Sequence, residues 1–156
     1  MFYTIYDTNF IGKVILYGDD AFLYGLEFYK EDFIQPQWIE NKDKFNKVIT
    51  ELELYFEGKL QNFSIPLKIK GSKFQQQVYN ALLQIPYGKT ISYKELAKSA
   101  GNQKAYRAAG NANGKNHIAI IIPCHRVIAS DGSIGGYGGG LFIKRKLLNL
   151  EGVCLV

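Results

Sequence analysis

The 156-residue sequence predicts an α+β protein of two units: a small N-terminal α/β unit over residues 1–68, and a mostly helical C-terminal unit with a helix-turn-helix over residues 69–156. Three observations carry this expectation. Short aromatic and β-branched runs fill the first thirty residues, as in a meander of strands. From Ser72 onward, helical periodicity is punctuated by Ser-x-x-Gln and Ser-x-x-Glu capping boxes. Charge divides at the same place. Residues 1–69 carry seven Lys/Arg against eleven Asp/Glu, whereas residues 70–156 carry twelve against three. The net charge of +5 is thus a +9 second half offset by a −4 first half, a distribution that suits a polyanion partner.

Taken in order, YTIYDT, GKVILYG and AFLYGLEFY read as strands, with a turn at Gly18-Asp19-Asp20. NKDKFNKVITELELYFEG places Phe45, Val48, Ile49, Leu52, Tyr55 and Phe56 on one helical face, with Gly58 as its stop. FSIPLKI follows as a strand. Ser72 and Gln75 then cap a helix whose apolar face is Phe74, Val78, Ala81, Leu82 and Ile85. PYGK at 86–89 turns the chain, and Ser92 with Glu95 opens SYKELAKSA. Gly101-Asn102 breaks that helix before QKAYRAAGNAN begins another, so the pair is a helix-turn-helix candidate. Ala105, Ala108, Ala109, Gly110 and Ala112 give the second helix a small-residue face, from which Tyr106 and Arg107 protrude. Such a face permits close approach to another helix or to a narrow groove. The run IAIII reads as a buried strand that delivers Pro123-Cys124-His125-Arg126 at its end. DGSIGGYGGG, holding six of the sixteen glycines, is a loop, and LFIKRKLLNLEG closes as an amphipathic helix stopped by Gly152.

Composition and spacing exclude several classes. Apolar content of 47% supports a core and argues against disorder. The longest apolar run, near 118–123, is too short to cross a bilayer, and no export signal precedes it, so a cytoplasmic protein with reduced thiols is expected. GGYGGG contains no G-x-G-x-x-G, and Leu83 stands where a phosphate loop ending at Gly88-Lys89-Thr90 would need its first glycine. No cysteine or histidine pair has metal-ligand spacing, so no metal is expected. The glycine loop around Tyr137 fits better as a mobile wall that closes on a small flat ligand. Cys124 is the natural nucleophile: His125 and Arg126 could favour its thiolate, and a carboxylate such as Glu151 could orient the histidine. Inert buried packing is the alternative for Cys124. Cys154 has no such neighbours and reads as a small apolar residue.

PCHRV followed by DGSIGGYGGGLFIKRKLLNLEG, with FQQQVYNALLQIPYGKTISYKELA and KAYRAAGNANGKN upstream, resembles the O6-alkylguanine-DNA alkyltransferases, also called methylated-DNA–protein-cysteine methyltransferases. The resemblance runs from about Ser72 to Gly152. Residues 1–65 are similar to that family's variable N-terminal domain in layout alone, which implies a ribonuclease H-like arrangement. The resemblance implies direct-reversal DNA repair by a monomer that needs no cofactor and takes the alkyl group once. Its partner would be double-stranded DNA containing O6-alkylguanine, bound through the minor groove with the base flipped out. Cys124 would be the acceptor thiol, His125 would act on it through a bridging water, and Glu151 would be the carboxylate behind that water. Asn116 would be the hinge that braces the active-site loop. Tyr93 would crowd a phosphate and hydrogen-bond the flipped base. Arg107 would fill the gap in the duplex, with Lys104, Ala105, Ala108 and Gly110 against the DNA. Val127, Tyr137 and Gly138 would wall the base pocket. Two positions depart from the pattern: Tyr106 replaces a small residue, and Gly138 stands where relatives carry Ser or Ala. The N-terminal half has no cysteine, so the structural zinc of some relatives is not expected. The rival readings are a non-covalent damage sensor, a cysteine hydrolase and a helix-turn-helix regulator.

Overall fold

Three antiparallel strands form where aromatic and β-branched residues alternate: β1 (Phe2–Asp7), β2 (Lys13–Gly18) and β3 (Leu23–Phe28). They lie in the order β3-β2-β1, and β4 (Ile39–Glu40) adds parallel to β1 at the edge. The short β4 carries no sequence signal of its own. This computed structural model describes residues 1–155, and the chain divides into two units, Met1–Lys68 and Ile69–Val156.

Register decides what each face of the first sheet presents. Thr4, Leu16 and Leu26 stand across from one another on one face, and Tyr3, Tyr17 and Gly25 on the other. The first face belongs to the hydrophobic core. The expected helix begins as a 3-10 turn at Lys42–Phe45 and continues as α1 (Asn46–Phe56), burying Val48, Ile49, Leu52 and Tyr55. Gly58 ends it at φ +75°, a conformation that costs glycine little. On the second face the Tyr17 ring stacks on Trp38 at 5.0 Å, and Phe33 meets Trp38 edge-on. FSIPLKI does not become a strand. It makes one parallel bridge, Leu67 to Leu23, because Pro66 has no N–H to extend a ladder.

In the second unit both capping boxes form, each Ser side chain accepting from the backbone three residues on and each Gln or Glu reaching back. They open α2 (Lys73–Leu83) and α3 (Tyr93–Ser99). The next helix, α4 (Tyr106–Gly114), starts later than its composition suggests. Asn102 Oδ1 accepts from the Lys104 N–H and holds residues 102–105 in a turn. Its small residues divide: Ala109 and Ala112 are buried among the helices, while Ala108 faces outward.

The run Ile118–Ile122 is buried as expected but is not a strand. It folds into tight turns with Ile120 at φ +72°, and its polar groups are met locally. Asn116 Oδ1 accepts from the Ile118 N–H at 3.0 Å, and its Nδ2 donates to the Ile122 carbonyl at 2.8 Å. Five apolar residues suit a strand and a buried turn equally, and the flanking asparagine tips the balance. Cys124 therefore opens a 3-10 turn, Cys124–Arg126, rather than ending a strand. The strand comes afterwards. β6 (Val127–Ile128) pairs in parallel with β5 (Ile91–Ser92), and α5 (Leu141–Leu150) closes the unit. Among the described residues no helix is long and apolar enough to cross a membrane.

Gly25 has little room for a side chain, since a Cβ there would come within 2.0 Å of the Tyr17 ring. Gly25→Ala should push that ring off Trp38 and destabilise the chain by roughly 1–3 kcal/mol. Urea unfolding of Gly25→Ala, alone and combined with Tyr17→Leu, checks this. Additive losses would show that the ring is not the cause.

Candidate active site

Pairing of β5 with β6 sets Ile91 opposite Val127 and Ser92 opposite Ile128, bringing the start of α3 beside the Cys124 turn. The thiol is buried, with only 6% of the residue exposed. Burial pushes its pKa up, against a hydrogen bond from Asn116, the charge of Lys144 and the Tyr137 hydroxyl. At rest Cys124 is a thiol that needs a proton acceptor before it can attack.

His125 is fully buried beside it in sequence. Its Nε2 lies 2.6 Å from Glu151 Oε2. A carboxylate can only accept there, so Nε2 carries the proton and Nδ1 is left as an acceptor. That Nδ1 is buried with no hydrogen-bond partner among the described residues. Burial lowers the His125 pKa despite the adjoining carboxylate, so the ring is neutral at rest. Glu151 touches His125 directly, not from behind a water as the resemblance implied.

Arg126 has a different task from the one its position suggested. Its Nε donates to Glu151 Oε1 at 2.7 Å, its Nη2 to Oε2 at 3.1 Å and its Nη1 to the Ile85 carbonyl at 2.8 Å. The guanidinium is thus committed to the carboxylate and does not serve the thiol. Burial raises the Glu151 pKa, but hydrogen bonds from His125 and Arg126, together with the Arg126 charge, prevail and hold it at about 2. Glu151 is a fixed anion at every working pH.

Lys144 was missed in the sequence, although a signal existed. Lys144, Leu147, Leu148 and Glu151 fall at i, i+3, i+4 and i+7, on the buried face of α5, and all four are buried. The Lys144 ammonium donates to the carbonyls of Val127 at 2.7 Å and Gly136 at 2.9 Å, tying β6 to the glycine loop. Burial brings its pKa down to about 8, opposed by proximity to Cys124.

The remaining expected residues sit in two groups. The Tyr137 hydroxyl is buried near Cys124, and burial above all pushes its pKa well up. Tyr93 stands between α4 and the glycine loop: a Cβ on Gly110 would lie 3.4 Å from its ring, and one on Gly135 would lie 3.0 Å from its hydroxyl. Val127 is buried, whereas Gly138 is exposed with space beside it. Arg107, Ala108 and Lys104 are exposed on or just before α4, with Ala105 partly covered at its start. The structure therefore gathers Cys124, His125, Glu151, Asn116, Tyr93, Val127 and Tyr137, and leaves the basic and small residues on an outer face. Cys154 is exposed. Asn113, also missed, is buried on the inner side of α4 and donates to the Cys124 carbonyl at 3.3 Å.

Comparison with known proteins accords with this arrangement. Residues 73–153 match the model of the 6-O-methylguanine DNA methyltransferase DNA-binding domain, and residues 1–69 match that of its ribonuclease-like domain. A methylated-DNA–protein-cysteine methyltransferase of Methanosarcina acetivorans is 46% identical over 99% of this chain and 100% of its own length. The Mycobacterium leprae protein of that name is 45% identical over 90% of this chain and 87% of its own. Among solved structures, Mycobacterium tuberculosis OGT in complex with DNA superposes with a TM-score of 0.91 at 44% identity, covering 97% of this chain and 92% of that one. An O6-methylguanine DNA methyltransferase of Methanococcus jannaschii matches with a TM-score of 0.69 at 27% identity, over 92% and 90% of the two chains. With its ribonuclease-like first unit, its helical second unit and a buried cysteine-histidine-glutamate array, the chain belongs to the 6-O-methylguanine DNA methyltransferase family.

Proposed function

We propose that the chain is a monomeric, cytoplasmic DNA-repair protein that moves the alkyl group from O6-alkylguanine in duplex DNA to Cys124, once per molecule. The observation that carries this is the buried Cys124 thiol next to a neutral His125 whose Nδ1 has no partner among the described residues and whose Nε2 is held by an ionised Glu151. Residues 69–156 supply both the chemistry and the DNA contact.

Cys124 loses its proton to His125 Nδ1, through a bridging water, and Glu151 stabilises the imidazolium that forms. The charge of Lys144 and the Tyr137 hydroxyl favour the developing thiolate. Sulfur attacks the alkyl carbon, the S–C bond forms and the C–O6 bond breaks, with the electron pair leaving on guanine. Tyr93 donates toward guanine N3 and offsets that charge. A proton returned to the guanine completes the exchange. The thioether has no route back, because no group here can displace it.

An alkyl group on O6 lies within the base stack, so the guanine must leave the duplex to reach a thiol that is 6% exposed. Exposed Arg107 is suited to filling the gap it leaves, and Ala105, Ala108 and Gly110 permit close approach to a minor groove. Lys104 and its basic neighbours neutralise phosphates without reading sequence. Walls at Val127, Tyr137 and Gly138 hold the base, and glycine at 138 leaves space for a bulky adduct.

The first test is intact-protein mass after mixing with a duplex that carries one O6-methylguanine. One methyl group on Cys124, saturating at one per chain, is expected. Tight binding to the lesion with no mass gain would make the chain a damage sensor instead.

Pocket width is checked by Gly138→Leu, which should slow transfer from O6-benzylguanine by about tenfold or more. Equal rates would remove Gly138 from the pocket wall.

Acid should unfold the chain in two stages. His125 is held neutral with its pKa below 6.5, so the unfolded state binds more protons below that pH and stability starts to fall. Glu151 has a pKa of about 2 when folded and 4.5 when free. Its contribution, about 3 kcal/mol, is complete above pH 4.5 and is lost as pH falls through the folded value. Urea midpoints between pH 7 and 3 should decline in wild type, and the part below pH 4.5 should flatten in Glu151→Gln. A flat wild-type profile would contradict both assignments.

A further inference from the structure

We infer that Asn113 is a positioning residue that couples DNA engagement by α4 to the reactive cysteine, an inference that rests on the alkyl-acceptor reading above. Asn113 projects from the inner side of α4 and donates from Nδ2 to the Cys124 carbonyl at 3.3 Å. The outer side of the same helix presents Arg107, Ala108, Asn111 and Lys115 to solvent. One short, buried side chain therefore joins the surface offered to DNA to the backbone of the acceptor residue.

Packing alone is a poor explanation for an amide at this position. Asn113 is 6% exposed, and its Oδ1 is buried with no hydrogen-bond partner among the described residues. An unsatisfied buried oxygen is a cost that leucine or methionine of similar size would avoid. The Cys124 carbonyl does not need Asn113 either, because it also accepts from the Val127 N–H at the end of the 3-10 turn. What the bond adds is a mechanical link. A shift of α4 on seating in a groove is felt at Cys124, and a change at Cys124 is felt by α4. Asn116 provides a link of another kind, since it braces residues 118–122 from beyond the C-terminus of α4.

The test compares the rate at which Cys124 takes the benzyl group from free O6-benzylguanine, with and without saturating undamaged duplex. The free base needs no flipping, so the ratio of the two rates reports only what DNA on α4 does to the thiol. In wild type the ratio should depart from one by a factor of about five or more. In Asn113→Leu it should return to within about twofold of one, with duplex affinity retained, and Asn113→Met should behave alike. Urea unfolding confirms that each variant is folded, and the surviving Val127 bond makes this the expected result. A variant ratio equal to that of wild type, or a wild-type ratio of one, would overturn the coupling and leave the repair function standing. A wild-type chain that takes no alkyl group from either the free base or the methylated duplex would overturn the repair reading itself, and the coupling with it.

Discussion

Everything around Cys124 hangs on a buried carboxylate that receives donors from two directions. Glu151 closes α5, and His125 and Arg126 both reach it from the turn that Cys124 opens. Arg126 continues to the Ile85 carbonyl just beyond α2, so its guanidinium joins three separate parts of the second unit. A buried charge is tolerated only when its partners are in place, and removing one partner from such a set typically costs 3–5 kcal/mol. That cost makes the geometry close to all-or-none. The histidine tautomer, the orientation of its free nitrogen and the position of the thiol follow from one electrostatic arrangement.

The same arrangement explains a division of labour between neighbouring residues. Arg126 keeps Glu151 ionised, and an ionised Glu151 keeps the proton on Nε2 of a neutral ring. Nδ1 then remains an acceptor, as the proposed proton transfer from sulfur requires. Without the arginine, burial would draw the carboxyl toward its protonated form, and the histidine would lose its orienting partner. Lys144 acts on the other side of the site, where its ammonium joins two backbone carbonyls and lies close enough to the thiol to favour its ionised form.

Much of this was legible in the sequence, for reasons that differ from residue to residue. The capping boxes at Ser72 and Ser92 rest on interactions only three residues long, and both formed as read. The antiparallel strands were legible through alternation. Cys124, His125 and Glu151 were found through a motif, since nothing in their spacing reveals that residues 25 and 26 apart will touch. What escaped were features set by tertiary context. β4, β5 and β6 are each two residues long and exist only because a neighbouring strand is there. The Ile118–Ile122 run was misread because local pattern does not distinguish a buried turn from a buried strand. Arg126 was placed near the right group and given the wrong partner, which no linear reading could have settled.

The burial of Cys124 also bears on waste. A protein spent in one reaction, as proposed for this chain, has to survive intact until its substrate arrives, among oxidants and stray electrophiles that attack exposed thiolates. Oxidation to sulfenic acid and adventitious alkylation both follow thiolate character and access. Here the resting sulfur is protonated, enclosed and largely out of reach. On the proposed mechanism, the enclosure that requires guanine to be extruded before it can react therefore also preserves the reagent in storage. Selectivity and shelf life come from the same few ångströms of covering protein.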